Sequence, residues 1–204
     1  MWIGLKSATE SGDSDKIMAL EIEAKLRVDS HDVVREALSD HGAISVGNVV
    51  ETNHIYDRPD GSLRSRGCAL RLRTAVSDNG ESCPATLTVK GPAMSGPLKS
   101  REEIEIRIER PDDGRRMLAL MGFEEVMRFA KRRESWSLDG CRVELDTLPL
   151  IGTFVEIEGQ DVEAVSRVQQ RLGLGSLTHI PTSYIGLLRS YCEANDIDWR
   201  RIEF

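Results

Sequence analysis

The chain has 204 residues, 40% of them apolar and 30% charged, which supports a folded core and excludes disorder throughout. Against 27 Lys and Arg stand 34 Asp and Glu, a net charge of -7 that excludes a general electrostatic grip on nucleic acid or an anionic membrane. No apolar run approaches the roughly 20 residues of a spanning helix, and Cys68, Cys83, Cys141 and Cys192 lie too far apart for a zinc site or a disulfide framework, so the expected location is the cytoplasm.

Residues 1–17 are polar, show neither helical nor strand period, and are expected to form a flexible tail. Met18 directly precedes the first pattern and is an alternative start; residues 18–204 are expected to form one domain. From Leu20 the chain alternates strictly, with Leu20, Ile22, Ala24 and Leu26 apolar and Glu21, Glu23, Lys25 and Arg27 charged, which predicts a strand. Ser30 is placed to cap a helix over 31–41, stopped by Gly42, and a second strand follows over Ala43 to Asp57. After the Asp60-Gly61 turn come strands at Ala69 to Thr74, Thr86 to Lys90 and Arg101 to Ile108, the first two joined through a polar turn over Ser77 to Pro84. A helix over 112–121 ends at Gly122. Strands over Phe129 to Trp136, Arg142 to Leu148 and Phe154 to Glu158 follow, then helices over 161–172 and 183–194.

In one strand, charged residues alternating with apolar ones describe a half-exposed sheet. Here the pattern recurs from strand to strand. The charged faces collect eight acids (Glu21, Glu23, Glu103, Glu105, Glu144, Asp146, Glu156, Glu158) and eight bases (Lys25, Arg27, Arg71, Arg73, Lys90, Arg101, Lys131, Arg133). An α+β fold accommodates them as a closed antiparallel eight-stranded β-barrel, with a polar interior and amphipathic helices packed outside. Dry burial would cost several kcal/mol per ion, so water, metal and a charged ligand share that interior. Arg forks and Lys ammoniums bind phosphate oxygens, which makes Lys25, Arg71, Arg73, Lys90, Lys131 and Arg133 a cradle for several phosphates. Acids at i and i+2 of a strand point the same way, so Glu21 with Glu23 and Glu156 with Glu158 can converge on a divalent cation, and oxygen-only donors favour Mg²⁺ or Mn²⁺.

Over about Leu20 to Glu193 these residues resemble the CYTH superfamily of triphosphate tunnel metalloenzymes. The resemblance is carried by Glu21-Ile22-Glu23-Ala24-Lys25, Tyr56-Asp57, Ala69-Leu70-Arg71-Leu72-Arg73, Leu87-Thr88-Val89-Lys90-Gly91, Arg101-Glu102-Glu103, Lys131-Arg132-Arg133, Glu144-Leu145-Asp146 and Gly152-Thr153-Phe154-Val155-Glu156-Ile157-Glu158. It implies that Glu21, Glu23, Asp146, Glu156 and Glu158 hold metal, that the bases grip a triphosphate, and that Glu23, Lys25 and Glu103 are catalytic, with Glu103 favoured over Glu105. The closing Ser183-Tyr184-Ile185-Gly186-Leu187-Leu188 is similar to class IV adenylate cyclases. The expected ligand is a triphosphate-bearing small molecule, with neither nucleic acid nor membrane as partner; the oligomeric state is open, a homodimer being common among soluble proteins.

Metal-dependent hydrolysis of the triphosphate is the leading expectation, ahead of cyclisation of ATP to cyclic AMP and pyrophosphate, and of a non-catalytic polyphosphate or nucleotide sensor. His31 and His41 lie on or beside a surface helix, His54 and His179 have no partner at ligand spacing, and all four are expected to be structural or solvated. Tyr184 is expected to pack on the barrel, with a place at the tunnel mouth as the alternative, Glu144 to orient basic neighbours, and Arg27, Arg101 and Arg107 to serve equally well as rim charges.

Overall fold

The structure, a computed structural model, describes residues 20–94 and 98–204, without the side chains of Leu20, Glu21, Lys99 and Ser100. The expected tail over 1–17 and the alternative start at Met18 lie outside the described residues.

Chain order is β1 (Leu20–Val28), α1 (Asp32–Asp40), β2 (Ile44–Asp57), α2 (Ser62–Ser65), β3 (Ala69–Ser77), β4 (Ser82–Lys90), β5 (Lys99–Ile108), α3 (Pro111–Leu120), β6 (Glu124–Leu138), β7 (Cys141–Leu148), β8 (Gly152–Gly159), α4 (Val162–Arg171), α5 (Tyr184–Ala194) and β9 (Arg201–Ile202). Strands β1 to β8 form a curled antiparallel sheet in the order β2-β3-β4-β5-β1-β8-β7-β6, and β6 also pairs with β2, from Ile44 opposite Ser137 to Asp57 opposite Glu124. The short β9 adds to β6 in parallel.

The two halves follow one plan, each a strand, a helix and three further long strands. The hairpins β2-β3-β4 and β6-β7-β8 correspond, while β1 lies between β5 and β8, and β5 lies between β4 and β1. The first strand of each half is thus paired only with long strands of the other half.

Alternation decides which face each residue takes. Ala24, Leu26, Val143, Leu145, Val155 and Ile157 pack outward under Val34 and Leu38 of α1 and Val165 and Val168 of α4. Leu70 and Leu72 of β3 pack with Leu118 of α3. Close approach of α4 to β8 is possible because residue 159 is glycine: a Cβ there would stand 2.9 Å from Cys141 Sγ and 3.1 Å from Val165 Cγ2. Gly42 ends α1 at φ 71°, as its position predicts. Ser30 lies one residue before the N-cap, His31, and accepts the Asp32 N–H through its hydroxyl at 3.1 Å.

Three features differ from expectation. β6 begins at Glu124, five residues before Phe129, because Val126, Met127 and Phe129 join an apolar cluster that the alternation does not announce. The turn between β3 and β4 is shorter than Ser77 to Pro84, since both strands run on to Ser77 and Ser82. Helix α5 does not pack only outside: Tyr184, Leu188 and Cys192 meet Ile55, Phe129 and Phe154, which share strand faces with charged residues and need an apolar cover there. Among the described residues no helix is long and apolar enough to cross a membrane.

Candidate active site

The inner faces of the strands line a cavity of about 820 Å³. All six expected phosphate-binding bases, Lys25, Arg71, Arg73, Lys90, Lys131 and Arg133, reach its wall, as do Glu23, Glu103, Glu105, Glu144, Glu156 and Glu158. They converge because alternation along β1, β3, β4, β5, β6, β7 and β8 turns one parity toward the cavity; on β1, β3, β7 and β8 the opposite parity packs under the helices, whereas Ile104 and Ile106 of β5 are exposed.

Each of these bases has an acid beside it. Lys25 Nζ lies 3.2 Å from Glu156 and 3.8 Å from Glu23. Lys131 Nζ lies 3.1 Å from Asp146 and 3.3 Å from Glu51. Arg133 donates to Asp146 at 2.7 and 2.6 Å and to Glu156 at 2.6 Å. Arg73 donates to Glu51 at 3.1 Å and to Glu105 at 3.3 Å. Arg71 lies 3.7 Å from Glu105 and 4.0 Å from Glu103, and Lys90 lies 2.7 Å from Glu103. Thr88 links two of them, accepting from Arg71 at 3.3 Å and donating to Glu105 at 2.8 Å.

Burial and partners pull the titrations apart. Burial pushes the Arg133 guanidinium down, but Asp146, Glu51 and Glu156 outweigh it and hold it well above its ordinary range. Arg71 goes the other way, lowered by burial and by the neighbouring charge of Arg73. Burial raises the Glu144 carboxyl despite Arg133; its oxygen accepts the Ser135 hydroxyl at 2.5 Å.

Two residues at the site lie outside the expected site set, and Glu51 is missed by the sequence reading altogether. Glu51 of β2 is 3% exposed, and although burial pushes its carboxyl up, Lys131, Arg133, Arg73 and Arg71 together hold it far below the carboxylate range. Tyr184, expected to pack on the barrel with a place at the tunnel mouth as the alternative, donates to Asp146 at 3.0 Å and lays its ring 4.2 Å from Lys25 Nζ and 5.3 Å from Lys131 Nζ. Burial and the neighbouring Glu156 and Asp146 raise its hydroxyl pKa well above the usual value, so it remains a donor. The Lys25 ammonium also donates to the Thr182 carbonyl at 3.3 Å. Signals for both residues lay in the sequence: Glu51 shares parity with Asn53 and Ile55, and Tyr184 follows a Ser that caps its helix.

On the cavity wall, Arg71 Nε is buried without a hydrogen bond among the described residues, and behind the wall so are both amide atoms of Asn53 and Thr86 Oγ1. Such an atom costs about 1–3 kcal/mol unless water or a polar ligand meets it, so the wall at Arg71 suits a polar occupant.

The expected metal ligands are spread over three strands. Glu21 lies on β1, but its side chain is outside the described residues. Glu23 stands directly opposite Glu158 in the β1–β8 register, and Glu156 opposite Glu144 in the β7–β8 register. Like charges placed opposite one another favour an intervening cation, and the oxygen-only donor set fits Mg²⁺ or Mn²⁺. Asp146 is fully buried and already accepts from Lys131, Arg133 and Tyr184. Among the described residues no three acids are gathered at one point as a ready-made metal site.

The remaining candidates are structural. His31 Nε2 lies 3.0 Å from the Phe154 carbonyl, His179 pairs with Gln169, and His54 sits between Glu125 and Arg115. Asp57 accepts the backbone N–H groups of Leu63 and Arg64 and so holds α2. Arg27 donates to the Ile151 carbonyl at 2.7 Å.

The model of the CYTH domain matches residues 19–184. The chain is 29% identical over 139 residues to "Putative adenylate cyclase MJ0240" of Methanocaldococcus jannaschii, covering 68% of this chain and 76% of that one. The structure of the PH1819 protein of Pyrococcus horikoshii superposes with a TM-score of 0.72 at 27% identity, over 83% of this chain and 98% of the other. A Hippeastrum protein, "Putative adenylyl cyclase HpAC1", for which a dominant triphosphatase activity is stated, superposes with a TM-score of 0.64 at 22% identity, over 84% and 95% of the two chains. At that identity the likeness is one of fold.

Proposed function

The chain belongs to the CYTH family, and on that premise we propose that it is a divalent-metal-dependent enzyme that hydrolyses a triphosphate held by Lys25, Arg71, Arg73, Lys90, Lys131 and Arg133. The observation that carries this reading is the convergence of those six bases on one cavity of about 820 Å³. The circuit of strand pairings from β2 round to β6 and back to β2 supports a closed tunnel with a polar interior, and the family match over 19–184 supports one such domain over 18–204.

In this reading, Arg71, Arg73 and Arg133 take phosphate oxygens through their forks, and Lys25 and Lys131 meet the chain from beside Tyr184. A divalent ion held by Glu23, Glu156 and Glu158, with Glu21 beside Glu23 in sequence, would neutralise phosphate charge and orient water. Asp146 would join them only by giving up one of its present donors. Glu103, which pairs with Lys90 on the cavity wall, would accept a proton from the attacking water. Attack at the terminal phosphorus breaks the bridging P–O bond, and the bases absorb the charge on the departing phosphates.

A second reading, cyclisation of ATP, is favoured by the apolar stretch of the same wall, Ile55, Ala69, Phe129 and Ile185, which offers a nucleoside contact surface. Incubation with inorganic triphosphate, thiamine triphosphate or ATP plus Mg²⁺ or Mn²⁺, with orthophosphate, pyrophosphate and cyclic AMP measured together, separates the two. Orthophosphate identifies the hydrolase, cyclic AMP with pyrophosphate the cyclase, and binding without turnover a sensor.

A further inference from the structure

Arg73 and Lys131 face the cavity, whereas Glu51, which both of them meet, is not part of the cavity wall. The acid therefore stands behind the two bases. It reaches them from the middle of β2, where Glu51 is the register partner of Lys131 on β6, and Arg73 on β3 pairs with the adjacent inward residue, Asn53. The Glu51 side chain is 4% exposed, so its charge acts with little solvent screening.

The two attachments differ in kind. Arg73 hydrogen-bonds Glu51 Oε1 at 3.1 Å, while Oε2 lies 3.3 Å from Lys131 Nζ yet makes no hydrogen bond. The carboxylate is held by the charge around it and only half satisfied by directed bonds. A phosphate chain entering the cavity competes with Glu51 for the same two cations. As long as the acid is present, each contact to Arg73 or Lys131 exchanges one anion for another.

We propose, on the triphosphate reading above, that Glu51 is a positioning residue that acts as a resident counter-anion: it holds Arg73 and Lys131 in the empty cradle and thereby sets how tightly the cradle takes phosphate. Removing its charge leaves the buried Lys131 with Asp146, which it shares with Arg133, and the half-buried Arg73 with Glu105, so both cations lose part of their neutralisation. The folded protein becomes less stable, and the lost stability is recovered when an anion binds, so affinity rises as apo stability falls.

Calorimetric titration with inorganic tripolyphosphate, in EDTA and separately with Mg²⁺, tests this on wild-type protein, Glu51→Gln and Glu51→Asp, alongside melting curves with and without the ligand. Glu51→Gln is expected to melt lower alone, to bind tripolyphosphate at least about tenfold more tightly in EDTA, and to gain more in melting temperature from it than wild type does. Glu51→Asp, which keeps the charge but draws it back, is expected to fall between the two; if the Gln variant does not fold, this comparison decides. A role in folding alone would lower the melting temperature without any gain in affinity, and unchanged or weaker binding in the folded variants overturns the proposal. Wild-type protein that binds tripolyphosphate in neither condition overturns the triphosphate reading along with it, whereas wild-type binding with no change in the variants overturns the role of Glu51 alone.

Discussion

The ammonium of Lys25 lies 4.2 Å from the centre of the Tyr184 ring, joining β1 to the first turn of α5 inside the cavity. The same tyrosine donates through its hydroxyl to Asp146, so one side chain orients a base and an acid at once. A cation over an aromatic face contributes about 0.5–2 kcal/mol, more when desolvated. Tyr184→Phe keeps the ring and loses the hydroxyl bond; Tyr184→Leu loses both. Turnover measured by phosphate release is expected to fall about fivefold to tenfold in the first and about a hundredfold in the second. Equal losses in the two variants would show that the ring contributes nothing to Lys25.

Lys25 and Glu158 should report different things when truncated. The Glu158 side chain is 39% exposed, so Glu158→Ala is expected to melt near wild type while losing at least about a hundredfold in turnover, through loss of metal. Lys25 is 2% exposed between Glu156 and Glu23, so Lys25→Ala should lose comparable turnover and also on the order of 3 kcal/mol of stability, because the two acids lose the cation that lies between them. Full activity in both would reject this cavity as the site.

Chelation offers a test independent of any variant. Exhaustive EDTA treatment is expected to abolish phosphate release, and Mg²⁺ or Mn²⁺ to restore it, since the available donors are carboxylate oxygens. Unchanged turnover after chelation contradicts metal binding by Glu23, Glu156 and Glu158.

Away from the cavity, His54 gives the fold a pH dependence. Arg115 can only donate, so its 3.1 Å contact fixes His54 Nε2 as an acceptor, and the Nδ1–H then donates to Glu125 at 2.8 Å. Burial lowers its pKa first; Glu125 pulls it up, and Arg115 and Arg128 push it down, for a net depression below its usual value near 6.5. The unfolded chain therefore binds the proton more readily. The contribution of the neutral ring is complete above about pH 6.5 and is lost as pH falls through the lower folded value. Melting temperatures from pH 8 to 5 should decline in wild type and decline less in His54→Gln.

Much of this arrangement was legible in the amino-acid order. Glu23 and Lys25, or Glu156 and Glu158, alternate with residues that the outer helices bury, so local spacing alone assigns their face. The cradle could be assembled from such strands before any coordinates. β2 defeats that reasoning because polar residues occupy both parities: Glu51 and Asn53 turn inward, while His54 turns outward to Glu125 of β6 and Arg115 of α3. Its outward polarity is satisfied by distant partners, which no local period encodes. Tyr184 was hidden for a related reason. Its helix looks like an outer layer until Ile55, Phe129 and Phe154 are seen to interrupt the charged faces at one end of the sheet.

The exchange of first strands between halves has a kinetic corollary. β1 supplies Glu23 and Lys25, yet its pairing partners are β5 and β8, the latter more than 120 residues downstream. Until a ribosome has delivered Gly152 to Gly159, the strand carrying the proposed catalytic lysine lacks one of its two neighbours, so the N-terminal half cannot mature as a unit while it is being synthesised. Assembly of the cavity is then among the last steps in this chain's folding, and any nascent form released before β8 exposes a ready edge for misassociation.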